Sequence, residues 1–328
     1  MPQPELARSH PSGPWLPPVK KWMLKSWLQR VLSWLPWSYW WNEQLQKHVT
    51  CGLDLRRETF EGKVDCCRQH LEHYRQFSPR PAVDFRVLEV GTGWFPIIPV
   101  GLFLCGAARV HTYDIVPLLR PAPVRRTLQL FSEAFDAGRL AAALPGLQPE
   151  RMILLRETQA RADQEPPTTL LQRLQIEVQV GDARQSSLPD GSVDLLFSNF
   201  VLEHLPRELL LDLLGKFRRL LSPNGVMSHY VGLADQYAGF DSSITPFNFL
   251  RYSARSWRWL NNPIINLNRL RITDYRAALQ ETGHRLVKES SQRGSPEALR
   301  QVPLAPEFRR YPEEDLLVLY SWLVTRPG

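Results

Sequence analysis

Two glycines and two acidic residues, placed where predicted strands end, could together bind a nucleotide-like ligand. The segment Val87-Leu88-Glu89-Val90 predicts a buried strand, and Gly91, Thr92 and Gly93 follow it in a turn before a second apolar segment. Glycines leave the backbone N–H groups of such a turn open to a polar or anionic ligand. A second predicted strand ends at Asp114, about twenty residues further on, where a carboxylate can accept both hydroxyls of a ribose.

Polar residues also follow the next two predicted strands. The strand Gln175–Val180 leads to Gly181, Asp182 and Ala183, and the strand that begins at Val193 ends at Asn199 and Phe200. The carboxyl ends of parallel strands meet at one edge of a sheet, which is where ligands bind in open α/β sheets. We therefore expect these residues to face the same ligand as the glycine turn. Asp182 could instead cap a helix N-terminus.

Composition bounds the class of protein. The chain has 328 residues, of which 43% are apolar, and no run of eighteen uncharged apolar residues occurs. We expect a globular cytoplasmic protein without an export signal or a membrane span. The four cysteines, at positions 51, 66, 67 and 105, lack metal-ligand spacing and predict reduced thiols and no metal site. The net charge of +7 is not gathered into one basic block, so no nucleic-acid partner is predicted.

The N-terminal region precedes the predicted sheet. Residues 1–18 are proline-rich and predict a disordered leader, and residues 19–80 predict a helical N-terminal extension. Residues 19–35 have apolar side chains at helical spacing with lysines opposite, and seven of the eleven tryptophans lie between Trp15 and Trp41. Either the apolar face packs on the domain as a lid, or residues 19–41 contact a membrane surface as a peripheral helix.

Two long segments interrupt the alternation of strands and helices. Residues 116–172, in which helices Val124–Leu140 and Leu147–Gln172 are predicted, exceed what a strand crossover needs. Residues 232–272 mix aromatic, amide and arginine side chains without an amphipathic period. We expect both insertions to form a cap over the strand ends on the acceptor side of the site.

Five ordered motifs together resemble the class I S-adenosylmethionine-dependent methyltransferases, and specifically the small-molecule group called type 11. They are VLEVGTGW, HTYD, GDA, DGSVDLLFSNFVLEHL and LSPNGVMSHYV, within residues 86–231. The resemblance implies a Rossmann-like α/β fold with a seven-stranded, mostly parallel sheet. It also matches the tail, where helix Thr273–Thr282 and strands His284–Glu289 and Leu316–Thr325 would form the closing antiparallel hairpin. The methyltransferase domain would then cover residues 81–328.

The resemblance assigns roles to the strand-end residues. Glu89, Gly91, Thr92 and Gly93 would surround the methionine part of S-adenosyl-L-methionine, and Asp114 would hold the ribose hydroxyls. Asp182 and Ala183 would lie at the adenine, and Asn199 and Phe200 would lie near the sulfonium. Phe95 stands where many members have a third glycine.

Two other functions use similar sequence patterns. A nicotinamide-dependent oxidoreductase also needs a strand, a glycine loop and a strand-end acid, but Phe95 replaces the last glycine of that pattern and Pro96 interrupts the helix start that would hold a pyrophosphate. A non-catalytic adaptor that binds S-adenosylmethionine is the other alternative.

The acceptor is predicted to be a small molecule or a glycan that is methylated on oxygen. Ser198-Asn199-Phe200-Val201 departs from the Asn-Pro-Pro-Tyr pattern typical of enzymes that methylate base or glutamine nitrogens. A hydroxyl must lose its proton as the bond forms, and His229 is the predicted general base. Asp235 and Asp241 are the alternatives, and His204 is a further candidate whose place after the fourth strand favours a packing role. Predicted acceptor-binding residues follow in the second insertion: Asp241, Asn248, Arg251 and Arg269.

Overall fold

A seven-stranded sheet forms the centre of the chain. The computed structural model describes residues 21–34, 55–262 and 266–328, so the predicted leader 1–18 lies outside the described residues. The strand order is β3-β2-β1-β4-β5-β7-β6; β1 to β5 run parallel, and β7 pairs antiparallel with both β5 and β6. The predicted Rossmann-like sheet with a closing antiparallel hairpin is confirmed.

The elements follow in chain order. The strands are β1 (Phe85–Val90), β2 (Ala107–Asp114), β3 (Ile176–Val180), β4 (Val193–Asn199), β5 (Leu221–Gly232), β6 (His284–Arg293) and β7 (Val318–Pro327). The helices are α1 (Lys21–Trp34), α2 (Arg57–Phe77), α3 (Ile97–Leu104), α4 (Pro121–Asp136), α5 (Arg139–Ala143), α6 (Pro149–Gln159), α7 (Pro167–Arg173), α8 (Arg207–Leu220), α9 (Ala254–Leu260), α10 (Ile272–Glu281), α11 (Pro296–Arg300) and α12 (Glu313–Leu316).

Helices α2 to α7 cover one face of the sheet. In α2 the buried residues recur at helical spacing, for example at Phe60, Val64, Leu71 and Tyr74, so one side of the helix packs on the sheet. All eight residues of α3 are apolar or small and all are buried between α2 and the strands. The predicted helical extension is therefore, in its 57–77 part, a constituent of the main core.

The helices of the first insertion pack beside the sheet. The insertion forms four helices, α4 to α7, in place of the two predicted, because glycines and prolines end the helical turns early. These helices pack on α2, α3 and β3 and share the large core cluster on that face. These helices therefore thicken one helical layer, while Val116 and Leu118 at the start of the insertion lie at the strand ends. The cap over the acceptor side stays a prediction.

Helices α8 and α10 cover the opposite face of the sheet. Leu88 and Leu196 point to this side, where they meet Leu214 and Phe217 of α8 and Tyr275 of α10. Strand residues alternate between the two faces, so neighbours such as Val87 and Leu88 belong to separate cores.

The second insertion builds a small core of its own together with residues 294–317. Phe247, Phe249 and Trp257 pack there against Phe308 and Leu316. Two buried arginines join its segments through backbone carbonyls: Arg271 donates to Leu233, Leu316 and Val318, and Arg269 donates to Phe249 and Tyr252. The buried carbonyls of these irregular turns need such donors. The contacts with the backbone therefore account for both buried arginines, and a bound ligand is not needed to explain them.

Helix α1 packs on this small domain with its less apolar side. Trp22 is fully buried against Tyr237, and Ser26 donates to the backbone oxygen of Leu260. The apolar side chains of Leu24 and Trp27 are exposed instead. None of the helices in the described parts of the chain has both the length and the apolar character to cross a bilayer.

Candidate functional site

The carboxyl ends of β1, β2, β3 and β4 surround a cavity of about 560 Å³. This volume lies in the range of pockets that hold drug-sized ligands. All nine residues expected at a cofactor line it: Glu89, Gly91, Thr92, Gly93, Asp114, Asp182, Ala183, Asn199 and Phe200. The structure thus brings together residues from four separate segments of the chain.

The glycine turn needs glycine for two separate reasons. Gly91 and Gly93 have φ angles of 91° and 64°, in the left-handed region that other residues rarely adopt. At Gly91 a Cβ atom would lie 2.4 Å from Cγ2 of Val201, so a side chain would collide with the opposite wall of the cavity. The amide of Gly93 donates to Asp114 over 3.0 Å, which fixes the turn against the end of β2.

A buried network lies beneath the turn. Thr112 donates to the carboxyl group of Glu89 over 2.6 Å, and the hydroxyls of Thr92 and Thr112 are hydrogen-bonded to each other. Burial raises the pKa of Glu89 to about 8, because an ionised carboxylate loses its hydration there. A cation bound in the cavity would favour the ionised form of this carboxyl.

Asp182 lies at the cavity and also caps a short helical turn. Its side chain accepts from the backbone amide of Arg184 over 2.9 Å and forms an ion pair with the Arg184 guanidinium. Hydrogen bonding from Arg184 lowers the pKa of Asp182. The capping role considered from the sequence is present, and the adenine contact stays a prediction.

Asn199 is held by a chain of buried side chains on α2 and β5. The side-chain oxygen of Asn199 lies 3.2 Å from Nε2 of His70, so Nε2 must carry the proton. The other nitrogen of His70 then accepts from Ser228, whose oxygen accepts from Nδ1 of His73; both distances are 2.9 Å. Burial lowers the pKa of both histidines, that of His73 to about 4, so both rings are neutral near pH 7. The chain leaves the amide group of Asn199, at the cavity wall, as a donor.

Aromatic side chains form a shelf beside the cavity. Phe200, which is 42% exposed, lies 4.9 Å from Tyr230 and 6.1 Å from Tyr320 between ring centroids, and Tyr230 stacks on Trp322 at 4.5 Å. All four rings are partly exposed. We call Phe200, Tyr230, Tyr320 and Trp322 the aromatic shelf.

The structure does not bring His229, the predicted general base, to the cavity. Its ring is fully buried on the α8 face of the sheet, where Nδ1 lies 2.7 Å from the hydroxyl of Ser198 and the ring stacks on Phe217. Burial lowers its pKa to about 3. His229 lies three residues before the end of β5, so it contacts helix residues and cannot reach a ligand at the sheet edge.

The carboxyl groups and the amide predicted in the second insertion are used within the protein. Asp235, an alternative base, is buried and accepts from the amide of Tyr237 and from the side chain of Asn248. Asp241 accepts from the backbone amide of Trp22 over 3.1 Å and thereby caps α1. None of Asp235, Asp241 and Asn248 is among the residues that line the cavity.

The two predicted acceptor-binding arginines also lie away from the cavity lining. The guanidinium of Arg269 lies 5.0 Å from the ring centroids of both Trp257 and Phe308 and is buried between them. Arg251 belongs to a short 3₁₀ turn next to Tyr252. From residues 232–272, the cavity lining includes Asn266.

Sequence reasoning missed several residues that the fold brings to the site. Lys63 of α2, Trp94 and Asn266 line the cavity, and His70 reaches Asn199 from the helical N-terminal extension, to which no site residue was assigned. His204, the further candidate for the general base, also lines the cavity. In the sequence, the indication that α2 contributes to the site was the pair His70 and His73, three residues apart on an otherwise regular helix face.

Within residues 21–34, 55–262 and 266–328, no group of three histidine, cysteine or acidic side chains could hold a metal ion. Cys66, Cys67 and Cys105 are free thiols, and Cys51 lies outside the described residues.

Comparison with protein families gives one match. Residues 138–228 match the family model described as a methyltransferase domain. This match, over the part of the chain that includes β3, β4 and α8, confirms the recognition made from the motifs. A search of curated protein sequences gave no significant match.

The solved structures to which the chain is similar are distant in sequence. Geranyl diphosphate C-methyltransferase from Streptomyces coelicolor, solved with Mg²⁺, geranyl diphosphate and S-adenosyl-L-homocysteine, is 11% identical, with 79% of each chain covered and a TM-score of 0.43. A protein from Pyrococcus horikoshii is 13% identical, with 87% of this chain and 99% of that chain covered and a TM-score of 0.48. At such distances neither structure indicates an acceptor for this chain.

Replacing Gly91 by alanine should weaken cofactor binding by about tenfold or more, because the new Cβ meets Val201 within the cavity and the residue keeps a positive φ. Isothermal titration with S-adenosylmethionine measures this. Gly138→Ala is the matched control: its φ is 69°, and nothing lies within 4 Å of the new Cβ. Gly91→Ala should lose more stability to urea than the control, because it adds the collision to the strained φ. Equal cofactor affinities in the two variants would contradict the collision.

The histidine chain predicts defined tautomers. Two-bond proton–nitrogen spectra near pH 7 should show His70 protonated on Nε2 and His73 on Nδ1, because Asn199 and Ser228 fix the direction of donation. Ser228→Ala should alter both patterns and leave His229 unchanged. Ser198→Ala, on the opposite face, should do the reverse. A His70 ring protonated on Nδ1 would contradict this direction.

Proposed function

Since the chain contains a class I S-adenosylmethionine-dependent methyltransferase domain, we propose that it binds this cofactor in the cavity and methylates a hydroxyl group of a small molecule or a sugar-containing acceptor. The observation that carries the proposal is the convergence of all nine cofactor positions on one cavity of suitable volume. Bound S-adenosylmethionine would supply an activated methyl group at its sulfonium.

The residues at the cavity fit the chemistry of this cofactor. Asp114 keeps acceptor capacity towards a ribose, since each of its oxygens receives one backbone amide, from Gly93 and Val116. Glu89 presents a buried carboxyl beside the turn, where a methionine amino group would lie. Asn199 contributes a donor that is fixed in orientation by His70.

The two rival functions are less well supported. Helix α3, whose N-terminus would have to hold a pyrophosphate, begins after Pro96, and its first turn is buried and apolar. A nicotinamide dinucleotide also needs a third glycine, where Phe95 packs on the core. A non-catalytic adaptor would need the cofactor cavity but no route for an acceptor, whereas the aromatic shelf begins at Phe200 in the cavity wall.

The aromatic shelf supports an acceptor that contains a ring. Aromatic faces bind the apolar faces of sugars and of planar rings, and the hydroxyls of Tyr230 and Tyr320 can orient polar substituents. We place the acceptor over Phe200, with the reacting hydroxyl turned towards Asn199. Alignment of the two reactants supplies much of the acceleration of an in-line displacement.

His204 takes the place of His229 as the proposed general base. It lines the cavity on the side of Asn266, whose side chain donates to the backbone oxygen of His204 over 2.9 Å. That contact ties the second insertion to the segment between β4 and α8. An imidazole at the cavity wall can accept the proton that the acceptor hydroxyl loses.

Calorimetry tests the cofactor assignment. The purified chain should bind S-adenosylmethionine, and NAD should give no heat. With the Glu89 pKa at about 8, the carboxyl is mostly protonated at pH 7, and pairing with a cationic group should release about one proton per cofactor. Titrations in two buffers of different ionisation enthalpy measure that proton.

Glu89→Gln should bind more weakly and release no proton. Glu203→Gln is the matched control, because the pKa of Glu203 is also raised to about 8 by burial, yet Glu203 does not line the cavity. Binding of NAD without binding of S-adenosylmethionine would refute the assignment.

Transfer to oxygen is tested with cofactor labelled in the methyl group and a panel of phenols, glycosides and amines. The label should be found in methyl ethers. His204→Ala should lower turnover by roughly 10²–10⁴-fold with little change in cofactor affinity, as expected for loss of a general base. His229→Ala should lower the melting temperature. At temperatures below that melting point, its turnover should equal that of the wild type. Label on amines or carbon, or normal turnover of His204→Ala, would contradict the proposal.

A further inference from the structure

Among residues 21–34, 55–262 and 266–328, nothing covers an apolar stripe that runs along α1. Leu24, Trp27, Leu28 and Val31 are 67%, 66%, 46% and 47% exposed. Their spacing of three, four and seven residues places them on one side of the helix. Large apolar side chains grouped in this way on a soluble surface mark an interaction site more often than single exposed residues do.

The opposite side of α1 is fixed to the small domain. Trp22 fits between the rings of Tyr237 and Tyr252, at centroid distances of 5.5 and 5.8 Å. Gln29 is buried and accepts from Tyr237 and Asn262. Because these contacts hold the helix, the stripe faces away from the domain.

Two further aromatic side chains extend the stripe on either side. Phe240 is 45% exposed and Trp259 is 72% exposed. Lys25 lies over the Phe240 ring at 4.2 Å, and Arg30 lies 5.9 Å from the Trp259 ring. Both rings are therefore anchored beside α1, and the exposed apolar surface is wider than one helix.

The charge around this surface is positive. Lys21, Arg255 and Arg258 are exposed, and neither α1 nor α9 contains an acidic residue. Two described acids contact these helices: Asp241 is buried and caps α1, and Glu307 accepts from the Ala254 amide at the start of α9. An apolar, tryptophan-containing surface flanked by cations complements a bilayer with anionic headgroups.

We propose that α1, with Phe240 and Trp259, docks the protein on an anionic lipid surface. The helix lies in the plane of the interface, with Leu24, Trp27, Leu28 and Val31 inserted at the boundary of headgroups and acyl chains. The basic side chains of α1 and α9 contact the headgroups. This surface is formed by a different part of the chain from the cofactor cavity, so docking and cofactor binding are separable.

Co-sedimentation of the full chain with vesicles tests the proposal. Binding to phosphatidylcholine vesicles that contain phosphatidylserine should exceed binding to pure phosphatidylcholine, and it should weaken as salt is raised. Leu24→Ser with Trp27→Ser should lower vesicle affinity by about tenfold or more, because inserted apolar area is lost. Arg255→Glu with Arg258→Glu should have a similar effect on the anionic vesicles only.

Matched controls use residues of equal exposure elsewhere. Val83→Ser with Ile153→Ser removes apolar side chains that are 55% and 62% exposed, and should leave vesicle binding unchanged. Unchanged S-adenosylmethionine affinity in every variant shows that the fold is kept.

Three results would overturn the proposal. One is equal binding of wild type and Leu24→Ser/Trp27→Ser. Another is a wild-type dimer that the same variant dissociates without any vesicle binding, which would assign the stripe to a second copy. The third is vesicle binding that appears only after residues 35–54 are deleted, which would assign the stripe to that segment.

Discussion

The contact between Asp114 and the Gly93 amide holds the cofactor cavity open. It ties the turn after β1 to the end of β2, and Asp114 accepts the Val116 amide at the same time. The collision that any side chain at Gly91 would make with Val201 shows how little space separates the two walls. The position of every other cofactor residue follows from this spacing of β1, β2 and β4.

Two carboxyl groups, Glu89 at the cavity and Glu203 outside its lining, lie in surroundings that penalise their ionised forms. Burial raises the pKa of Glu89 and of Glu203 to about 8. A carboxyl whose folded pKa exceeds its unfolded value near 4.5 stabilises the fold at low pH, and this contribution is lost as the pH rises towards 8. At Glu89 a bound cation would reverse the penalty, so the cost in stability is coupled to ligand binding. One oxygen of Glu203 has no hydrogen-bond partner, and the other accepts from Gly232.

The cofactor side of the site could be predicted from the sequence, and the acceptor side could not. Glu89, Gly91 and Asp114 belong to strand ends, where position along the chain determines position in the fold. His229 does not face the cavity because successive strand residues point to opposite faces of the sheet. Ser228 contacts the histidines of α2, and His229 contacts α8. Arg269 does not line the cavity because it donates to backbone carbonyls of its own irregular segment. The sequence does not distinguish an arginine that binds carbonyls from one that binds a ligand.

For helix α1, too, the sequence did not reveal what each side chain contacts. Its period predicted which side is apolar, and both alternatives drawn from it required that side to be covered, by the domain or by lipid. The structure attaches the helix through Trp22, Ser26 and Gln29, whose hydrogen bonds and ring contacts lie across the helix from the stripe. Trp22 and Met23 of the predicted apolar face do pack on the domain, whereas Trp27, Leu28 and Val31 of that face stay exposed together with Leu24. The face is therefore divided: one part attaches the helix, and the remainder forms the outward apolar stripe, whose exposure to water leaves the free energy of burial unrealised.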